Sequence, residues 1–597
     1  MPVIPVSNIL NKTTISIGDF EIKSFKSLKL SQNVAEHHSL KIVCRKSSVE
    51  KKEDELGEHS KNFIGEQLQL KIETSKLSSD TEQLLFYGIV TKIKIVRSIH
   101  TITGDEIIIY AKSPTILTDD GPNYFSIKDK SLKGIISNLL KKYDQSLLKS
   151  KINPQLQSSL HYSVQYNESS FEYLKRLASQ YGEWFYYNGS YLIFGQEEEK
   201  EISLDFKKDL KEFEISLQPL PNNFNFKTNN YLNNDIVDTN SSKFKADDQG
   251  FNGFITNSAN DIYNNDTVFM HQPFVDNQLQ ERVDLLAETQ TKSIQLNQVK
   301  LSGRSDNSGI YVGCIIYSKN TFDGKYRVIS VTHTCNEHGG YENEFEAVSA
   351  NIDAYIYTNI RAYPSSEPQS AIITENHDPE SMGRVKVEFP WQKKIGETTP
   401  WIRVVSLHAG SGKGFYFLPE VGEEVLIGFE EGNAERPYVI GSVYHAKAKP
   451  PSEASSANND ITILQTRSGC KFILNDSDGS ITILDKEGSQ VFLDGEGNID
   501  ISSITNINLS APDGEINLDA KKVFIGNVIK PNLIEFKGME AKVKTDISTE
   551  LDGGIDLKFK GVNTEIKSAA KTDIKSSIIN IDGSGIVEIK GGIIKKN

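Results

Sequence analysis

Ile499-Asp500-Ile501, Ile507-Asn508-Leu509, Ile516-Asn517-Leu518, Val523-Phe524-Ile525 and Ile555-Asp556-Leu557 alternate apolar and polar side chains, and Ile566, Ile574, Ile581 and Ile589 continue the beat. Period-two alternation is the signature of a β-strand with one buried face. The apolar positions return about every eight residues, the spacing of a β-solenoid or an interwoven β-prism. Residues 461–597 contain no Tyr, Trp or His and only two prolines, Pro512 and Pro531. Each strand therefore offers a thin apolar face with few aromatics to fill a core. A single copy would expose long unpaired edges, which invite aggregation, and winding with identical chains removes them. The tail reads as a rigid, oligomeric fibre or needle.

Working outward, a polar stretch at 446–460 separates the tail from a compact segment at 371–445. Pro364 and Ser365-Ser366-Glu367-Pro368 make a second expected linker. Residues 1–365 are mostly strand-like, with candidates at 15–22, 40–44, 68–72, 84–95 and 106–111. The charged run at 47–61 reads as a solvated loop. Two helices interrupt this pattern. One follows Ser131, with Leu132, Ile135, Ile136, Leu139, Leu140 and Tyr143 on a single stripe. The other opens on Ser169-Ser170-Phe171-Glu172, a capping-box pattern, and ends at Gly182. The Asn- and Asp-rich stretch 220–276 reads as strands with long loops, 278–291 as a helix, and 313–347 as strands.

The compact segment carries the most specific motifs. It runs Asn376-His377-Asp378-Pro379, Gly383-Arg384-Val385-Lys386-Val387, Phe389-Pro390-Trp391 and Pro400-Trp401-Ile402-Arg403. It continues with Pro419-Glu420-Val421-Gly422-Glu423-Glu424, Gly432-Asn433 and Arg436-Pro437-Tyr438-Val439-Ile440-Gly441. Short strands with glycine turns over about 75 residues suit a five-stranded OB barrel. The order of these motifs resembles the OB domain of the VgrG family, the spikes of type VI secretion systems, and of related phage-tail and extracellular injection spikes. Upstream, Gln165 through Leu177 and Tyr181-Gly182-Glu183-Trp184-Phe185-Tyr186 resemble the family's hub motif, as does His333 through Ala347.

The resemblance implies a mainly β protein. It would have a phage-hub-like region at 1–365 with two β-barrel subdomains and helical insertions, an OB barrel at 371–445, a linker at 446–460, and an intertwined triple-stranded β-helix at 461–597. It also implies a homotrimer that meets an inner tube protein and baseplate proteins, delivers effectors, and crosses a target membrane only transiently. A PAAR-like tip protein is expected on Ile589, Ile593 and Ile594. The structural OB motif is Asp378, Pro379, Gly383, Arg384, Trp391, Trp401, Arg403, Gly422, Glu424, Gly432, Arg436, Pro437 and Gly441. The 15 residues 446–460 are too few for an inserted enzyme domain, and a structural spike without a toxin domain is expected.

Catalytic and ligand-binding readings fare less well. Gly410-Ser411-Gly412-Lys413-Gly414 lacks phosphate-loop spacing and precedes the strand-like Phe415-Tyr416-Phe417, so it reads as a turn. His333, Cys335 and Glu337 alternate and could present metal donors, but the family resemblance implies no metal role there. His37-His38 reads as surface. Trp391, Trp401, Phe415, Tyr416 and Phe417 could stack on nucleic acid, but Glu420, Glu423, Glu424, Glu430 and Glu431 would repel phosphates. These aromatics read as core and inter-subunit packing, and Asp378, Arg384, Arg403, Glu424 and Arg436 as structural ion pairs. No Ser/His/Asp or Cys/His constellation is visible, and no enzyme or cofactor is expected.

The net charge of -14 argues against nucleic-acid binding. The scattered Cys44, Cys314, Cys335 and Cys470 make no disulfide framework and fit reduced cytoplasmic folding. Met1-Pro2-Val3-Ile4-Pro5 is no secretory signal, so export would depend on the machine itself. Other readings are the spike of an extracellular particle or a phage-tail-like bacteriocin and, more remotely, a fibre adhesin or a carbohydrate-active β-solenoid.

Overall fold

A computed structural model describes residues 11–52, 56–74, 82–97, 104–244, 250–270, 273, 275–276, 278–525, 543–545 and 547–595. Met1 to Pro5, Pro531 and Asn597 lie outside the described residues. The chain divides into two compact units, Met1–Asn459 and Asp460–Asn597.

The first unit is organised by one large antiparallel sheet assembled from two distant stretches of chain. Ser27–Asn33 pairs with Ser39–Arg45 on one side and with Lys325–Asn336 on the other. The sheet thus runs from Leu210–Leu217 through Val299–Ser305, Tyr341–Ser349 and Lys325–Asn336 into the N-terminal strands, ending at Phe20–Glu21. Alternation sets its buried face. In Gln67–Thr74 every second residue, Leu68, Leu70, Ile72 and Thr74, is buried. Burying each Leu or Ile contributes about 1.5–3 kcal/mol.

Four α-helices occur among the described residues: α1 (Leu132–Leu140), α2 (Ser170–Tyr181), α3 (Gly250–Ile262) and α4 (Leu279–Leu296). The Ser131 side chain caps α1 through the amide of Gly134. On α2 the capping box forms in full: Ser169 accepts from the Glu172 amide and the Glu172 carboxylate accepts from the Ser169 amide. Gly182 closes that helix at φ 71°, a left-handed conformation that costs glycine least. α3 falls in the stretch expected to hold only strands and loops. Its charge-poor sequence, GFNGFITNSANDI, buries Asn252, Gly253, Ile255 and Ala259 on one side. Phe251, Phe254 and Ile262 remain exposed on it. Apolar residues on two faces blur the single stripe that identifies a helix.

Three further expectations change. The Pro364–Pro368 stretch is pinned rather than loose. Ser366 donates its amide to the Gly432 carbonyl, and Ala434 donates to Pro364. Glu50, inside the charged run, is buried and accepts from the amides of Gly57, His59 and Ser60 and from the Ser60 hydroxyl. The loop is thus tied down by one of its own acids. His38 is buried rather than on the surface. It stacks near Phe86 and Tyr187, partners far away in sequence.

Residues 369–442 form a small closed barrel. Lys386–Glu388, Gln369–Glu375, Glu424–Phe429 and Pro437–Ser442 lie side by side in one sheet. Bridges from Val385 to Ile402 and from Val404 to Val439 add a fifth segment that closes the ring. Ala371, Ile373, Val385, Val387, Phe389, Ile402, Val425, Ile427 and Val439 fill it.

In the second unit, Ile461–Gln465, Lys471–Asn475, Ser480–Leu484, Gln490–Leu493 and Ile499–Ser502 make a five-stranded antiparallel meander. From 503 to 595 the described residues form no regular strand within the chain.

Candidate functional site

Two features stand out: a polar joint between the barrel and the rest of the first unit, and the apolar face of the tail. The joint is built on the barrel loop 430–436. Glu435 is buried, and its carboxylate accepts from the Val164 amide (3.1 Å) and the Ser163 hydroxyl (3.3 Å). Its charge faces Arg176 of α2 at 3.8 Å, and Arg176 also pairs with Glu168 at 2.7 Å. Desolvation pushes the Glu435 carboxyl up, opposed by Arg176 and by its hydrogen bonds. The capping box matters here, because it fixes the first turn of the helix that carries Arg176.

Next to it, Arg436 pairs with Glu430 and donates to the Pro273 carbonyl at 2.6 Å. Arg403 also pairs with Glu430. Burial would raise the Glu430 carboxyl, but Arg436 and Arg403 hold it below the usual range. Arg403 lies 4.5 Å over the Tyr231 ring and Arg436 5.7 Å from it. On another side of the barrel Gln392, fully buried, donates to Ser126 (2.8 Å) and Tyr162 (3.2 Å) and accepts from the Phe389 amide. Buried polar groups on each side of the joint are thus satisfied by the other, which makes separation costly.

Among the sequence-predicted residues, Asp378 and Arg384 form a bidentate pair at 2.8 and 2.9 Å. Burial would raise the Asp378 carboxyl, but Arg384 holds it at about 2. Arg403 and Arg436 converge on Glu430, which sequence reading did not assign as their partner. Glu424 joins the barrel through its backbone, opposite Ile372 and with its carbonyl accepting from the Val443 amide. Trp391 stacks on Phe389 at 5.4 Å and donates to Gln369, while Lys386 sits over Trp401. Gly383, Gly422 and Gly432 take positive φ values of 69°, 94° and 75°. Phe415, Tyr416 and Phe417, expected partly as core, are exposed in the single chain. Gly410–Gly414 lies in the turn of a hairpin, where Ala409–Gly410 pairs with Lys413–Gly414. Sequence reading missed Gln392 and Glu435 altogether, because nothing local marks a polar residue that will be buried by a distant strand.

His333, Cys335 and Glu337 do not converge. The His333 ring is buried between the Tyr341 hydroxyl (2.8 Å) and Gln32 (3.2 Å), Cys335 takes a contact from Thr13, and Glu337 pairs with Arg45.

The tail presents the opposite chemistry. Ile555, Val562 and Ile547 are almost fully exposed, and Ile566, Ile574, Ile581, Ile589, Ile593 and Ile594 are exposed too. An apolar surface this extended marks an interaction face.

Residues 38–339, just over half the chain, match the phage tail baseplate hub (GPD) family. The chain belongs to the phage tail baseplate hub family. Residues 369–444 of this hub protein also match the type VI secretion system/phage-baseplate injector OB domain. A similar protein is the type VI secretion system spike protein VgrG1c of Pseudomonas aeruginosa, 26% identical over 245 residues, covering 36% of this chain and 32% of that protein. Another is the actin cross-linking toxin VgrG1 of Vibrio cholerae, 31% identical over 147 residues, covering 21% of this chain and 13% of that protein. The hub protein thus spans a third or less of the length of these curated relatives. Among solved structures, a chain of the lidded Francisella PdpA-VgrG complex superposes with a TM-score of 0.52 at 10% identity, covering 83% of this chain and 81% of that one. That likeness concerns the fold. Among the described residues no helix is long and apolar enough to cross a membrane.

Proposed function

We propose that this hub protein is the homotrimeric spike of a contractile injection machine of the type VI kind, and that its role is mechanical. The observation that carries this is the tail. Beyond the meander its alternating apolar side chains are exposed, and the described residues from 503 to 595 pair into no strand within one chain. Copies of the same sequence supply the matching edges and faces, and a prism of interwoven strands resists bending because no strand can peel away alone.

The meander at 461–502 pairs within one chain, so it forms the part of the tail each copy brings already folded. The first unit would serve as the base that meets the inner tube and baseplate proteins. Its barrel is tied to that base by the Glu435, Gln392 and Arg436 contacts, so axial force passes from one to the other without a hinge. Ile589, Ile593 and Ile594 are the surface offered to a small PAAR-like capping protein, and effectors would travel with the assembly.

Native mass spectrometry or light scattering tests the core of this reading. The expected mass is three times 66.7 kDa. A monomer at micromolar concentration would overturn it. Neighbouring genes separate a type VI spike from that of a free extracellular particle: a membrane-anchoring complex favours the first, and sheath and tube genes without one favour the second.

A further inference from the structure

A trimeric needle poses a problem that its own sequence does not solve, namely which residue of one copy lies level with which residue of the next. The apolar beat is nearly uniform, with steps of seven or eight residues from Ile566 to Ile574, Ile581 and Ile589. The charges repeat with it. Asp556-Leu557-Lys558, Glu565-Ile566-Lys567, Asp573-Ile574-Lys575 and Glu588-Ile589-Lys590 are four versions of one acid–apolar–lysine unit. In three of them the lysine pairs with its own acid two residues away. A copy slipped by one unit would meet similar apolar partners throughout and the same charged partners everywhere but at Asn580-Ile581-Asp582, so register is weakly specified.

The barrel carries a surface without that degeneracy. Its exterior is divided by chemistry. Residues 375–397 hold seven Asp, Glu, Lys or Arg side chains besides the buried Asp378–Arg384 pair, whereas 404–419 hold a single one, Lys413. In that charge-poor stretch Leu407 is 92% exposed and Tyr416 75%. Val405, Phe415 and Phe417 are exposed beside them, and Phe415 stacks on Phe417 at 6.0 Å. The hairpin is held rigid from within: the Ser406 hydroxyl donates to the Phe415 carbonyl and the Phe415 amide donates to His408. These five side chains expose on the order of 700 Å² per copy, close to the ~800 Å² one partner gives to a standard interface.

We propose that this hairpin face docks on the barrels of the other two copies and sets the register of the needle. The inference rests on the trimer proposed above. Barrels docked through a non-repeating surface bring the three chains level at residue 461. The strands that follow then pair at high effective concentration, starting from the correct rung.

The test is the full-length protein carrying Leu407→Ser, Tyr416→Ser and Phe417→Ser, side chains exposed in the single chain. Isotopically light and heavy copies are co-assembled and lysine cross-links are read by mass spectrometry. In the wild type, light–heavy links should join Lys567 to Lys567 and Lys575 to Lys575. In the variant the trimer mass should persist, but same-position links should fall about fivefold, replaced by Lys567–Lys575 links one unit out of step. Leu407→Met with Tyr416→Phe should keep the wild-type pattern. A variant trimer with wild-type links would overturn the proposal, as would a variant that no longer trimerises, since the needle would then not hold copies independently of the barrel. A wild-type monomer would instead sink the trimer reading itself.

Discussion

The two units of this chain use the same local code to opposite ends. In the first, alternation along Gln67–Thr74 or Lys325–Asn336 meets a partner strand and buried side chains from the same chain. In the second, alternation from Ile499 onward meets solvent. The contrast lies in what surrounds the strands. The first unit supplies aromatics such as Phe86, Phe185, Phe194 and Tyr355 to thicken its core, and buried ions to close its joints. The tail has almost no aromatics, and beyond the meander at 461–502 its described residues form no strand within the chain. A sequence can thus specify a complete fold or a fraction of one, and the fraction shows as apolar residues left outside.

The sharpest way to break this comparison is to make the tail polar. Ile555→Asp with Leu557→Asp changes side chains that are exposed in one chain, so the first unit should unfold at its usual temperature. The needle should no longer hold the copies, and with only the barrel faces left between them the native mass should fall on dilution from three times 66.7 kDa to 66.7 kDa. A retained trimer would mean these strands are not where the copies meet.

The complementary change acts only in the first unit. Arg176→Met leaves the buried Glu435 and the half-buried Glu168 without their common cation, and should cost about 3 kcal/mol in denaturant unfolding of that unit. Glu435→Gln keeps an acceptor for the Val164 amide and should cost much less. Neither should alter the needle-dependent mass. Equal effects of the two variants would mean the charge of Glu435 plays no part in the joint.

The asymmetry also explains what could be read from sequence. The capping box at Ser169, the stripe of α1 and the β periods are local signals, and the structure realises them. The motifs of residues 376–441 pointed to a barrel because their glycines sit at turns. What escaped was non-local: the burial of His38 and Gln392 by distant strands, the Glu430 partner of Arg403 and Arg436, and α3, whose apolar residues lie on two faces. The exposed Phe415–Phe417 run was misassigned in part to the core for the same reason. Three consecutive aromatics look like interior until the barrel's small volume is seen to be filled by nine other side chains.

Acid should separate the units by a smaller margin. Burial lowers His38 and His333 to about 3 each, below the free value of 6.5. His38 faces Gln32, His37, Phe86 and Tyr187, and His333 faces Gln32 and Tyr341. A histidine kept neutral by the fold binds its proton more readily when unfolded. Its contribution is therefore intact above pH 6.5 and is lost as pH falls toward 3, at about 1.4 kcal/mol per pH unit for each residue. Between pH 6.5 and 5 the pair should cost the first unit about 3 kcal/mol. Residues 461–597 contain no histidine, so the trimer mass should survive at pH 5. His333→Gln should remove its own share of the slope of stability against pH, leaving the shares of His38 and of His37, which burial lowers to about 4; an unchanged slope would show that His333 is not what titrates.

The smallest effect is the most local one. Ser169→Ala removes the side chain that accepts the Glu172 amide and leaves the Glu172 carboxylate without its reciprocal arrangement. Loss of such a cap typically costs about 1 kcal/mol. It should appear as a small drop in the stability of the first unit, with no change in trimer mass or in cross-link register. The value of so modest a change lies in where it stops. α2 carries Arg176 into the joint, so a frayed first turn should also loosen the barrel. Hydrogen exchange at the Val164 amide, which donates to Glu435, reports on this. Faster exchange there in Ser169→Ala would show that a helix cap legible in four residues of sequence helps to hold a contact between residues 271 apart in the chain. Unchanged exchange would confine the cap to its own helix.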